Sequence, residues 1–121
     1  MQSQYQQELA TGLEAAYLIG HPSKPGPYVY RVRWPSNYML PAHTHPDDRN
    51  LVVISGTHYH AFGNKFDAQK LEAGPPGTFF TEPANAPHYG ATKAEVVILQ
   101  ISGTGPSGQT FLDPSQDPRK K

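Results

Sequence analysis

At 121 residues the chain is long enough for one hydrophobic core but not for two. Ten basic and ten acidic residues cancel, and the isoelectric point near 7.0 lacks the footprint of a nucleic-acid or membrane-surface binder. No apolar run approaches the length of a membrane-spanning helix, and the absence of cysteine excludes disulfides and thiolate ligands.

Thirteen prolines and eleven glycines point to many short strands joined by tight turns. Residues 1–12 form an N-terminal arm, whose polar, Gln-rich start (1–9) is expected to be frayed or to make a short helical turn. A strand is expected from Leu13 to Gly20, followed by a Pro/Gly-rich loop whose His21 reads as a solvated loop histidine. Tyr28 to Trp34 alternates cleanly. Tyr28, Tyr30, Val32 and Trp34 share one face, and Arg31 and Arg33 share the other as solvated or paired charges. Pro35-Ser36-Asn37 then turns the chain into Tyr38-Met39-Leu40.

The stretch from Pro41 to Gly56 carries the first chemistry. On an extended strand His43 and His45 point to the same face, and two neutral imidazoles converging on one point suit a divalent first-row metal. After a Pro-Asp-Asp turn, Leu51 to Ile54 is an apolar strand. Ser55-Gly56 reads as a hairpin turn, with a return strand carrying His58 and His60. That hairpin pairs 53 with 58, 51 with 60 and 49 with 62. If position 49 faces the interior, then Leu51, Val53, His58, His60 and Phe62 face it as well, whereas a one-residue slip turns both histidines outward. Gly63 to Asp67 is a loop, and Ala68 to Glu72 is a helical turn or an edge strand. Thr78 to Glu82 is a strand leading into the turn that ends at His88. Glu95 to Ser102, apolar on both faces, is the central strand, with Gln100 as a polar group inside. Thr110-Phe111-Leu112 closes the barrel region (13–112), and 113–121 is expected to be a flexible tail.

Two blocks carry a resemblance. The first is His43-x-His45, a short gap, position 49, six residues and Gly56. The second is Pro76-Gly77, five residues, Pro83-Ala84-Asn85-Ala86-Pro87 and His88. Together they resemble the two motifs of the cupin superfamily, and the His-Pro-Asp-Asp run with its Ser-Gly-Thr turn is most similar to small single-domain bacterial cupins. The resemblance implies an all-β fold, a single cupin double-stranded β-helix or jelly-roll barrel. It also implies one divalent transition metal ion (Fe, Mn, Co, Ni, Cu or Zn) on His43, His45 and His88.

Two positions depart from the family pattern. Arg49 stands where the acidic ligand is expected, and Asn85 replaces a glycine, at a turn that Asn tolerates. The fourth ligand is then His60, for which position favours it over His58, or more remotely Glu82, or there is none and the metal keeps open positions. Arg49 either clamps a substrate carboxylate or enolate, or pairs with Asp47 or Asp48 at the rim.

The implied function is a metal-dependent enzyme acting on a small organic substrate, anionic where Arg49 clamps it, with His58, His60 and Arg49 as the catalytic candidates. Its chemistry is dioxygenase-like, or Lewis-acid isomerase, cyclase or lyase chemistry in which an interior histidine moves a proton. The alternative is a non-catalytic metal- or small-ligand-binding module. A homodimer paired through edge strands is expected, with no nucleic-acid or membrane partner. The chain as written shows no leader and reads as cytoplasmic, although relatives of this kind are often exported after losing one.

Overall fold

The computed structural model describes residues 5–7 and 11–118. Their strands in chain order are β1 (Gln6–Gln7), β2 (Glu14–Ile19), β3 (Gly26–Trp34), β4 (Met39–Thr44), β5 (Arg49–Ser55), β6 (His58–Phe62), β7 (Glu72–Gly74), β8 (Phe79–Glu82), β9 (His88–Ala91), β10 (Val97–Gly105) and β11 (Thr110–Phe111). They form two antiparallel sheets, ordered β1-β2-β3-β10-β5-β8 and β11-β4-β9-β6-β7. The expected two-layer jelly roll is what the chain adopts. No helix among the described residues is long and apolar enough to cross a membrane.

The alternation read in β3 sets the inner face of the larger sheet. Tyr28, Tyr30, Val32 and Trp34 are buried, together with Leu51 and Val53 of β5 and Val97, Leu99 and Ile101 of β10. Each fully buried side chain of this kind stabilises by about 1.5–3 kcal/mol relative to exposure. On the outer face Arg33 lies opposite Glu14 and bonds it at 2.7 Å, and Arg31 lies opposite Gln100 and donates to it at 2.9 Å. Exposed pairs of this sort are worth at most about 1 kcal/mol. Gln100 therefore points outward, contrary to expectation: β10 alternates, and Val97, Leu99 and Ile101 take the inner face.

The expected hairpin after Ser55 does not form. β5 pairs with β10 and β8 in one sheet, while β6 pairs with β9 and β7 in the other. Gly56, at φ +73°, packs so tightly that a Cβ there would come within 2.4 Å of the Val96 carbonyl oxygen. The turn is thus pressed against the loop before β10, and the chain crosses between layers instead of folding back within one. His58 and His60 nonetheless face the interior, from the opposite sheet, whereas Phe62 is exposed.

The outer face of the smaller sheet has its own cluster, Ala42, Ala61 and Tyr89, covered by Phe66 and Leu71. Between those two, Asp67 caps a 3₁₀ turn (Ala68–Lys70) that runs into edge strand β7, so both readings of this stretch apply. At the ends, Gln6 and Gln7 pair as a strand with Ala15 and Glu14 rather than as a helical turn, and Asp113 caps a second 3₁₀ turn, Pro114–Gln116. The rest of the Gln-rich start, apart from Tyr5, and 119–121 of the tail lie outside the described residues.

Candidate metal centre

A one-residue bulge in β4 aims the first two histidines. Leu40 lies opposite Gly90 and His43 opposite His88, so three steps on β4 match two on β9. Strict alternation from the inward Leu40 would turn Ala42 and Thr44 inward. The bulge resets the phase, so Ala42 joins the outer cluster while His43 and His45 point in. Pro41 sits within the bulge, where a missing N–H is tolerated.

His43, His45 and His88 come together as expected, each 2–3% exposed, with one ring nitrogen from each within 4.8 Å of the others. Backbone carbonyls orient all three rings through Nδ1. His43 meets the Pro41 oxygen at 2.7 Å, His45 the Gly108 oxygen at 2.7 Å and His88 the Ala86 oxygen at 3.0 Å. A carbonyl only accepts, so each Nδ1 carries the proton and each Nε2 turns a lone pair inward. Burial keeps the His43 and His45 rings neutral. It pushes His43 down to about 4, helped by His88, and His45 down to about 2, helped by the Arg49 charge.

The loop carrying His88 is tied to the first motif. Asn85 takes φ +63°, the left-handed conformation that asparagine tolerates, and its N–H donates to the His45 carbonyl at 2.8 Å. The N–H of Ala84 donates to Asp48 Oδ1 at 2.7 Å. Asp48 is thereby committed to the loop and is not an ion-pair partner of Arg49.

The carboxylate comes from a place the sequence reading ranked last. Glu82, 5% exposed at the end of β8, sets Oε1 at 3.2 Å from His88 Nε2 and 3.6 Å from His45 Nε2. Donor atoms bound to a first-row ion at about 2.0–2.2 Å sit roughly 3.0–3.6 Å apart, and these two Glu82 contacts fall in that range. His88 Nε2 makes no hydrogen bond in this arrangement: it is a lone pair facing a carboxylate. Burial alone would raise the Glu82 carboxyl, but the hydrogen bond from His60 Nε2 to Oε2 opposes it and holds the group well below the usual carboxylate range. The group of donors within 4.8 Å of one another is the three histidines, without Glu82 or His60; His60 Nε2 lies 3.1 Å from the other Glu82 oxygen, Oε2. The signal for Glu82 was the alternation Phe79-Phe80-Thr81-Glu82, obscured because both phenylalanines are apolar while only Phe80 turns in.

Arg49 is opposite Glu82 across the β5–β8 pair and is 4% exposed, so it lies inside the barrel and not at the rim. It donates to Tyr30 Oη at 3.2 Å and Ser107 Oγ at 2.8 Å, with Asp47 Oδ1 3.9 Å from its Nε. Asp47 in turn accepts from Tyr28 at 2.5 Å and Ser107 at 2.6 Å.

His58 is 2% exposed, edge-on to Trp34 and stacked on Phe80; burial, and then the neighbouring His60, push it down to about 3. A Cβ on Gly90 would sit 3.1 Å from this ring, so glycine there leaves it room. The donor atoms surround an interior cavity of about 30 Å³. Two larger hollows adjoin it. One, of about 270 Å³, is reached past Arg49 and lies against His21, Ser23 and Tyr17; the other, of about 100 Å³, is reached past His58 and His60. His21 is half-buried there, its ring packed on Tyr17 and its Nδ1 bonded to Ser23, and is not simply solvated.

Two strands of histidine facing a carboxylate across a jelly roll define the class. The chain has the cupin fold. No family model and no curated protein matches its sequence. Solved structures do match in fold. The DMSP lyase DddQ from Ruegeria pomeroyi superposes with a TM-score of 0.67 at 18% identity, over 84% of this chain and 53% of that one. An RmlC-like cupin from Shewanella frigidimarina gives 0.67 at 14% identity, over 86% of each chain. The polyketide cyclase RemF from Streptomyces resistomycificus gives 0.67 at 18% identity, over 97% of this chain and 79% of that one. This chain thus spans about half the length of the lyase.

Proposed function

We propose that this chain is a metal-dependent enzyme acting on a small organic molecule, with one divalent first-row ion held by His43, His45, His88 and Glu82. The donor arrangement carries this reading: three imidazoles with Nδ1 committed to backbone carbonyls turn Nε2 toward one another, two of them against a buried carboxylate. Lone pairs 3.2 Å apart with no proton between them repel, and a cation removes that repulsion. Nitrogen and carboxylate donors suit Fe, Mn, Co, Ni, Cu or Zn. When bound, such an ion supplies Lewis acidity toward a substrate oxygen, and a redox-active one adds dioxygen chemistry.

The chain's own residues have separable roles. His60 holds Glu82 through Oε2 and lies between the interior cavity and the smaller opening, where it exchanges a proton with substrate or solvent. His58, neutral at neutral pH and with Nδ1 unpartnered among the described residues, offers a hydrogen bond rather than a charge. Arg49 compensates negative charge beside the centre. The lyase and cyclase among the fold neighbours favour Lewis-acid isomerase, cyclase or lyase chemistry over dioxygenase chemistry. We also propose a homodimer paired along the open edge of β8, where Phe79 is 64% exposed; light scattering giving the mass of one chain would refute it.

The test is elemental analysis of protein purified without a histidine tag, alongside His88→Ala and Glu82→Gln. Near-stoichiometric metal in the wild type, lost from His88→Ala and depleted in Glu82→Gln, supports the reading. Zinc points to Lewis-acid chemistry, whereas iron, manganese or copper makes oxygen uptake the next assay. No metal after reconstitution sinks the enzyme reading and leaves a small-ligand-binding barrel.

A further inference from the structure

The hollow above Arg49 has a chemistry of its own. Its floor is the Arg49 guanidinium, and its walls come from the β2–β3 loop (His21, Ser23), from Tyr17 and from the segment after β10 (Ser107, Gln109). No acidic side chain lines it, so its one formal charge is positive. A guanidinium has five N–H donors, of which two are used here, on Tyr30 and Ser107. Nε is buried without a hydrogen-bond partner, and the nearest carboxylate, Asp47, lies 3.9 Å from it and is already bonded to Tyr28 and Ser107. Asp47 and Glu82 compensate the Arg49 charge, but its buried Nε–H makes no hydrogen bond, which is costly unless a ligand accepts it. Tyr17 packs on both His21 and Tyr30, giving an aromatic wall beside the charge. Arg49 and Gln109 also line the interior cavity, so a molecule seated on Arg49 adjoins the histidine cluster.

We propose that this hollow is a carboxylate-binding subsite and that the substrate is a small organic acid. Its carboxylate is held by Arg49, its body lies against Tyr17 and His21, and its remaining oxygen reaches the histidine cluster. This assignment of substrate class rests on the metal-site reading, although carboxylate binding at Arg49 does not. A planar guanidinium matches a carboxylate bidentately, and about 270 Å³ admits a molecule the size of an aromatic acid.

The test uses matched probes on the full chain, as purified and after metal removal: benzoate against benzamide, acetate against acetamide, and inorganic phosphate. Binding is followed by calorimetry and by the NMR signal of the Arg49 Nε–H. In wild-type protein each acid should bind at least roughly tenfold more tightly than its amide, with the Arg49 signal shifting on titration. Arg49→Met should erase that preference, and Arg49→Lys should keep only part of it, since lysine lacks the planar fork. Equal binding of acid and amide, an Arg49 signal that does not move, or phosphate outcompeting both acids overturns the proposal. These wild-type readouts stand even if Arg49→Met fails to fold. Metal measured on the same samples separates the two readings: acid preference without any bound metal keeps the subsite and removes the metal centre, while metal without acid preference does the reverse.

Discussion

Arg49 and Glu82 face each other across β5 and β8, both buried, at the point where the larger sheet meets the histidines of the smaller one. The position at which the cupin pattern expects an acid holds a cation, and its cross-strand partner holds the acid. Exchanging the two residues should therefore preserve the site. Glu82→Gln alone should lower metal affinity by roughly two orders of magnitude or more, beyond what loss of an outer partner brings. The double exchange Arg49→Glu with Glu82→Arg should recover most of that loss. Chelator competition on the singles and the double measures it, and a double variant no better than Glu82→Gln would deny that the two positions are equivalent.

His60 touches the carboxylate and not the histidine donors. Its removal should loosen the centre without abolishing it. His60→Ala is expected to weaken metal binding by roughly 10–100-fold, with His60→Gln closer to wild type because the amide still donates to Oε2. Complete loss of metal in His60→Ala would make it a direct ligand.

Asn85 holds the left-handed turn that carries His88. Asn85→Gly should be neutral within a few tenths of a kcal/mol, whereas Asn85→Ala should cost about 1 kcal/mol and Asn85→Val more. Urea denaturation of the three variants gives the ranking, and equal stability of Gly and Val would refute it.

In metal-free protein His43, His45 and His58 stay neutral far below the usual histidine range. The unfolded chain takes up these protons near pH 6.5 and the native state does not, so stability falls as pH drops from about 6.5 toward 4. Glu82, with its carboxyl held low, adds a loss of the same sign at still lower pH, as the unfolded carboxylate protonates first. Thermal midpoints between pH 7 and 4 should drop steadily and more shallowly in His58→Phe, which removes one titrating group. A flat profile would contradict the neutral, buried state of these rings.

Most of the fold was legible because its strands obey simple periods. Tyr28 to Trp34 alternates, and Thr110-Phe111 and the Pro83–His88 turn lie where turn chemistry puts them. Gln100 was misread because β10 is partly covered on its outer face by neighbours such as Arg31, so both of its faces look apolar. The Ser55-Gly56 turn was misread because local sequence cannot say whether a tight turn returns within a sheet or crosses to the other layer; here contact with Val96, forty residues away in the chain, decides it. His43 and His45 were legible as a pair from their period-two spacing, and His88 from the resemblance to the second cupin motif. Glu82 was legible only as a remote candidate, since its weight arises from its pairing with position 49, a relationship between strands.

The division of the centre between layers has a consequence for how such proteins diverge. The histidines belong to the smaller sheet and Glu82 to the larger, so on the proposed reading an acid on the facing patch serves the centre wherever it stands along the chain. A ligand can then migrate sideways to a neighbouring strand while its oxygen stays in place. Ancestry traced by linear spacing would lose such a lineage at that step, while the three-dimensional template persists.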